Sequence, residues 1–335
     1  MRGNHVEKEN THMSSSHRKT AARHLADALR IPYQTALNAI DDALGHAYPA
    51  GIPTSPRQRP APSTESEPLS PNMVDDRWGR FRTTSFLPAP TDYSAYGWSQ
   101  FPLGIGLDGD EVILDLEVFP HLLIAGRSGA GKSNIQRLLL DRALASDAWR
   151  VLAIDPKRVE LADYREHPRT VSIATELEES VALLELAEQE ITARYTRMNE
   201  TGVLHFRVLP ARPPALLITV DETFALLCPE NIRSAEGEHR DALRMRASLL
   251  LESIALLGRA AGVHLSLNTQ RPDVSVIGGV LKSNLDARIA CGPMSANQSL
   301  LAMDSDAACW TPDGRGNCML WKGSELEGFR AYRAG

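Results

Sequence analysis

Apolar positions change their spacing several times along this chain, and the changes mark out its architecture. From residue 101 onward, short unbroken apolar runs alternate with longer stretches in which apolar residues recur every three or four positions. That alternation is the pattern of buried parallel strands joined by crossover helices. The runs predict strands at 122–125, 151–154, 170–173, 216–220, 263–268, 288–291 and 318–321. Helical spacing predicts helices from about 132 to 146, 176 to 199 and 240 to 261. Ahead of them, 103–107 and 111–116, parted by Asp108-Gly109-Asp110, read as a β-hairpin. The fold class is α/β, a doubly wound and mostly parallel sheet.

The amino-terminal part is different. Residues 1–17 are polar and rich in Ser and His, a disordered tail. Ala22, Leu25, Ala26 and Leu29, then Ala36, Leu37, Ile40 and Leu44, recur at helical spacing on either side of Ile31-Pro32. They predict a small helical hairpin over 18–47. It reads either as a fragment of a helix-turn-helix that meets DNA or as a hairpin that docks a partner protein, and few Arg or Lys occupy the recognition-helix slot. Residues 48–100 form a Pro-rich linker and an irregular segment, which leaves 101–335 as the main domain.

Composition narrows the function classes. Of the 335 residues 43% are hydrophobic and 23% charged, with a net charge of −6. A surface that is basic all over is therefore excluded, and nucleic acid would have to meet a local concentration of Arg and Lys. No apolar run approaches the roughly 18 residues of a membrane span, and the start MRGNHVEKENTH lacks the apolar segment of a secretory signal, so a cytoplasmic location is expected. Cys228, Cys291, Cys309 and Cys318 lack metal-site spacing and read as small buried hydrophobes.

Candidate chemistry sits directly after the first of the buried runs. Gly126-Arg127-Ser128-Gly129-Ala130-Gly131-Lys132-Ser133 is a complete match to the phosphate-loop pattern G-x-x-x-x-G-K-[ST], between a predicted strand and a predicted helix. Glycines bring backbone N–H groups close to one anion, and the helix start adds its positive end. Lys132 would serve the β- and γ-phosphates of ATP, and the Ser133 hydroxyl would ligate Mg²⁺. The apolar run 215–220 ends in Asp221-Glu222, expected on the strand beside the loop strand. Asp221 would hold the metal and Glu222 would orient or deprotonate the attacking water. Gln270, ending the run before Arg271-Pro272, is either a γ-phosphate contact or a turn residue.

From about residue 101 to 332 the chain resembles the motor domain of the FtsK/SpoIIIE DNA translocases, within the FtsK–HerA class. The resemblance rests on FPLGIGLDGDEVILDL, PHLLIAGRSGAGKS, IDPKRVEL, Ala193-Arg194-Tyr195 through Met198, TVDE, GRAAGVHL and NTQRPDVSVIGGVLKSNLDARIA, in that order. It implies a RecA-like P-loop ATPase that works as a ring, a homo-hexamer, and pulls double-stranded DNA by ATP hydrolysis. Nucleotide would sit between subunits, with Arg259 as a phosphate contact and Lys282 or Arg288 reaching across the interface. The stretch 232–246, with Arg233, Arg240, Arg244 and Arg246 among Glu236, Glu238 and Asp241, is either a DNA-gripping loop or a solvated helix face. Relative to the family the chain reads as a short form without membrane spans or a winged-helix module, and Asn268 stands where the family usually has alanine. Transfer or packaging of plasmid, integrative-element or phage DNA is the expected role, and an FtsK-like ATPase driving protein export is the alternative.

Overall fold

The computed structural model describes residue 78 and residues 87–230, 234–272, 277–323 and 325–335. The expected tail, helical hairpin and most of the Pro-rich segment lie outside these residues, as does Arg233. Among the described residues ten strands form one sheet in the order β2-β1-β10-β9-β8-β3-β7-β6-β4-β5. In chain order they are β1 (Gln100–Gly106), β2 (Glu111–Asp115), β3 (His121–Gly126), β4 (Trp149–Ile154), β5 (Thr170–Ala174), β6 (Ala215–Val220), β7 (Val263–Thr269), β8 (Ala287–Cys291), β9 (Asn317–Lys322) and β10 (Glu325–Ala331).

The six strands from β8 to β5 are parallel, and β9, β10, β1 and β2 continue the sheet antiparallel. Long connections carry helices α1 (Lys132–Leu144), α2 (Leu177–Thr201) and α4 (Ala235–Ala261). Shorter ones are α3 (Thr223–Leu227), α5 (Gly279–Ser283) and α6 (Ala296–Met303).

Each predicted strand is present; β3, β4, β6 and β8 are buried on both faces and are written as nearly unbroken apolar runs, while β7, equally buried, alternates Val263, Leu265 and Leu267 with His264, Ser266 and Asn268. On one face Leu122, Ile124, Leu217 and Ile289 pack with Ile135, Leu138 and Leu139 of α1 in the main core. Side chains of alternate sign on β3 point the other way, where His121 meets Gly258 of α4. The sheet is thereby covered on both sides, as a parallel sheet requires.

Five elements depart from the sequence reading. Strand β10 has no unbroken apolar run, since it buries only part of its length and carries Glu325, Glu327 and Arg330. Helix α4 begins at Ala235, five residues before the expected start, because Ser234 caps it by accepting from the Gly237 N–H. Helices α3, α5 and α6, of five, five and eight residues, are too short for a period to register.

Candidate nucleotide-hydrolysis site

The phosphate loop begins where β3 passes tightly against β8. A Cβ added at Gly126 would lie 2.7 Å from the Cys291 carbonyl oxygen, so only glycine leaves the strand that close. At the other end Gly131, at φ +113°, caps α1 in a left-handed conformation. Helix α1 has no side-chain cap and no acidic residue in its first turn. By contrast α4 and α6 are capped by Ser234 and Ser295, and Glu179 accepts from the backbone N–H groups at the start of α2. The first N–H groups of α1 are thus left for an outside acceptor, and the helix dipole favours an anion there.

Lys132, 8% exposed, folds back so that Nζ donates to the Arg127 carbonyl at 3.1 Å. Burial lowers its pKa, and the negative charges of Glu222 and Asp221 are among those that oppose the shift. The lysine is therefore within electrostatic reach of both carboxylates, and all three gather at the carboxyl edge of the sheet.

The expectation that the acidic strand lies beside the loop strand is corrected: β7 runs between β3 and β6. An apolar run reveals that a strand is buried, not which strands flank it. The insertion brings the end of β7 against the acid pair. Glu222 Oε1 accepts from the Gln270 N–H at 3.1 Å, while Oε2 lies 3.1 Å from Lys157 Nζ. Glu222 also holds a left-handed backbone (φ 65°, ψ 71°) at the start of α3, a conformation uncommon outside glycine and frequent at functional sites.

Asp221 is different. Its Oδ2 is buried without a hydrogen-bond partner, and burial pushes its pKa up to about 6 against the pull of Lys157. An orphaned hard oxygen beside a phosphate loop, with Ser133 in the first turn of α1, fits a divalent cation of the Mg²⁺ type. Asp155, at the end of β4, is also buried and spends Oδ2 on the Leu161 N–H.

The remaining predicted residues fall into place unevenly. Gln270 is at the site and touches Glu222 through its backbone. Arg259 is not a phosphate contact within its own subunit. It lies in the last turn of α4, near His121 and Asp286 at the amino ends of β3 and β8, the opposite edge of the sheet from the loop. It is exposed and, among the described residues, makes no side-chain hydrogen bond or ion pair. Lys282 and Arg288 also sit toward that edge, and both are held by Asp304: Lys282 Nζ at 2.6 Å from Oδ1, Arg288 in an ion pair with Oδ2. Arg288 is 4% exposed and stacks over Trp321, its guanidinium 4.4 Å from the ring centre. Within this chain both cations are thus engaged by Asp304.

The arginines of 232–246 that are described belong to α4, not to a loop. Arg240 and Arg244 both pair with Glu230, and Arg246 pairs with Glu185. The salt-bridged helix face is the reading this favours.

Two parts of the site had no sequence signal of their own. Lys157 lies within the IDPKRVEL block, but nothing in the sequence gives it a role until β4 and β6 place it over Glu222. The segment 311–316 forms a second wall, with Asp313 paired to Arg127 of the phosphate loop and Gly316 packed against Gly131. Arg127, Ser128, Gly129, Ala130, Gly292, Asp313, Gly314 and Arg315 line a cavity of about 500 Å³ there.

A family model described as the FtsK/SpoIIIE family matches residues 91–212. DNA translocase FtsK of Clostridium tetani is 31% identical over 249 residues, which cover 70% of this chain and 31% of that protein. DNA translocase SftA of Bacillus subtilis is 34% identical over 231 residues, 63% of this chain and 23% of that one. The chain thus spans under a third of the length of these relatives. Among solved structures, the pCW3 conjugation coupling protein TcpA, in a monomer form with ATPγS, superposes with a TM-score of 0.68 at 24% identity, over 76% of this chain and 71% of that chain.

Proposed function

We propose that this chain, which carries an FtsK/SpoIIIE-type P-loop ATPase motor domain, hydrolyses ATP to move double-stranded DNA. The observation that carries the reading is the meeting of Lys132, Asp221 and Glu222 at one edge of the sheet, with β7 between the loop and the acids. Likeness to curated DNA translocases at 31% and 34% identity supports DNA as the moved polymer.

In the proposed chemistry each residue has one task. The loop N–H groups and the start of α1 hold the phosphates, and Lys132 leaves the Arg127 carbonyl to add a point charge. Ser133 and Asp221 would hold Mg²⁺, which when bound neutralises charge on the β- and γ-phosphate oxygens. Glu222 lies where it can orient water and take its proton. Gln270, tied to Glu222 through its N–H, keeps that carboxylate in register with the end of β7.

Within the proposal the chain assembles as a ring, a homo-hexamer, and Arg259 supplies the cation across the interface. Of the three basic candidates it is the exposed one, and among the described residues it makes no side-chain hydrogen bond or ion pair, whereas Lys282 and Arg288 are spent on Asp304. The proposed cargo is plasmid, integrative-element or phage DNA, and loss of transfer or packaging on deleting the gene would test it.

The enzymatic reading is tested by ATPase rate on the full chain with and without linear duplex DNA, across salt concentrations. DNA is expected to stimulate the rate, salt to erode the stimulation, and Lys132→Ala to abolish hydrolysis. ATPase activity indifferent to DNA would overturn the DNA assignment and favour protein as the polymer moved. Undiminished activity in Lys132→Ala would overturn the site.

A further inference from the structure

Asn268 lies wholly buried in β7, and both its amide nitrogen and its amide oxygen lack a hydrogen-bond partner. Two unsatisfied polar atoms on one side chain are uncommon in a protein interior, and each costs stability. Their position explains them. Val220 of β6 is paired with Leu267 of β7, so the next row outward sets Asp221 beside Asn268 on adjacent parallel strands. Residues in one row of a parallel pair point to the same face, here the face of α1. Asp221 Oδ2 is an orphan in that row, and so is Oδ1 of Asp155, which the pairing of Ile154 with Val220 sets on the far side of Asp221.

Helix α1 adds another. Gln136 donates from Nε2 to Thr219 Oγ1 at 2.8 Å, two rows inward on β6 and on the same face, and its Oε1 is unpartnered. An amide donor, an amide acceptor, a carboxylate oxygen and a second amide oxygen are thus enclosed beneath the first turns of α1, none of them satisfied.

We propose that Asn268 is the positioning residue of the metal-holding carboxylate, its Nδ2–H donating to Asp221 Oδ2 once nucleotide and Mg²⁺ are bound. Resting on the proposed nucleotide site, this assigns a role to a residue that no phosphate-loop or acidic-strand motif contains. Carboxylates that hold a metal are themselves oriented by hydrogen bonds, and losing such a partner lowers metal affinity roughly 10–100-fold. An apolar residue at position 268 would give a more stable empty protein, but Asp221 would then have to find its orientation unaided.

The test uses the full chain and two variants, Asn268→Ala and Asn268→Asp, with thermal unfolding and ATPγS binding followed as Mg²⁺ is titrated. Without ligand, Asn268→Ala is expected to melt higher than the native protein. With ATPγS, it should need about tenfold or more Mg²⁺ for half-maximal stabilisation. Asn268→Asp keeps the shape and, when ionised, cannot donate and repels Asp221, so at a pH where it is ionised it should be impaired at least as much. Affinity for ATPγS without Mg²⁺ should be unchanged in Asn268→Ala, which a general loss of packing would not leave intact. A lower melting temperature for empty Asn268→Ala, or native Mg²⁺ dependence in either variant, overturns the proposal. Lys132→Ala, run alongside, separates the two claims: if it binds ATPγS normally, the nucleotide site itself is wrong.

Discussion

Lys157 Nζ lies 3.1 Å from Glu222 Oε2 and bridges two loops that leave the sheet from neighbouring strands, β4 and β6. The carboxylate side chain is 10% exposed and the lysine 43%, so the pair is anchored inside and open at its cationic end. Together with the Gln270 N–H this fixes both oxygens of the proposed base, where the adjoining Asp221 keeps one oxygen free. Two consecutive acids are thereby separated into different roles by their surroundings.

Replacing Glu222 by Gln should therefore separate binding from chemistry. The amide oxygen can still accept from the Gln270 N–H, so the local backbone and the phosphate loop are retained. Hydrolysis should fall by roughly 10²–10⁴-fold, the range for loss of a general base, while ATPγS binding stays within a few-fold of native. Single-turnover hydrolysis against nucleotide binding is the measurement, and a rate within tenfold of native would remove Glu222 from the chemistry.

The loop, the acidic strand and the buried strands were legible because local pattern and burial coincide there. Leu122 to Ala125 and Leu216 to Val220 are apolar throughout since both their faces are covered. Strand order was not legible: that β7 separates β3 from β6 depends on contacts far apart in sequence. For the same reason Lys157, though inside the IDPKRVEL block, carried no signal of its role, whereas Lys132 did. The basic candidates show the limit most plainly. Arg288 and Arg259 look alike in sequence, yet one is buried over Trp321 and tied to Asp304 while the other is exposed.

That contrast predicts opposite phenotypes. Arg288→Ala removes a buried stacked cation and leaves Asp304 with Lys282 alone, so the melting temperature should drop, by an amount corresponding to ~2 kcal/mol. Arg259→Ala should leave the melting temperature unchanged and cut the DNA-stimulated ATPase roughly 10³-fold if it completes a neighbour's site. Mixing Arg259→Ala with Lys132→Ala subunits should restore part of the activity, because one intact loop then faces one intact arginine. Absence of any recovery, with the oligomer still formed, would argue against a role across the interface.

Acid sensitivity follows from two histidines buried on opposite faces of the sheet, His121 toward α4 and His264 on the α1 side. His121 Nδ1 accepts from the Leu265 N–H, with the Ala255 backbone on its other side, and His264 Nδ1 contacts the Pro120 carbonyl, while His264 Nε2 is buried without a partner among the described residues. Burial pushes both pKa values down to about 3, from an ordinary value of 6.5. Because the folded pKa is depressed, the folded state binds fewer protons than the unfolded one below pH 6.5. Stability is then full above that pH and is lost as pH falls toward 3. At pH 5 each histidine should cost about 2 kcal/mol relative to neutral pH, at 1.36 kcal/mol per unit. His264→Gln keeps a polar side chain of similar reach but cannot titrate. Its loss of urea stability between pH 7.5 and pH 5 should be smaller than the native loss by about that amount. Parallel pH dependences for the two proteins would show that His264 is able to take up a proton where it stands, and that the chamber between β7 and Trp149 is wetter than its packing indicates.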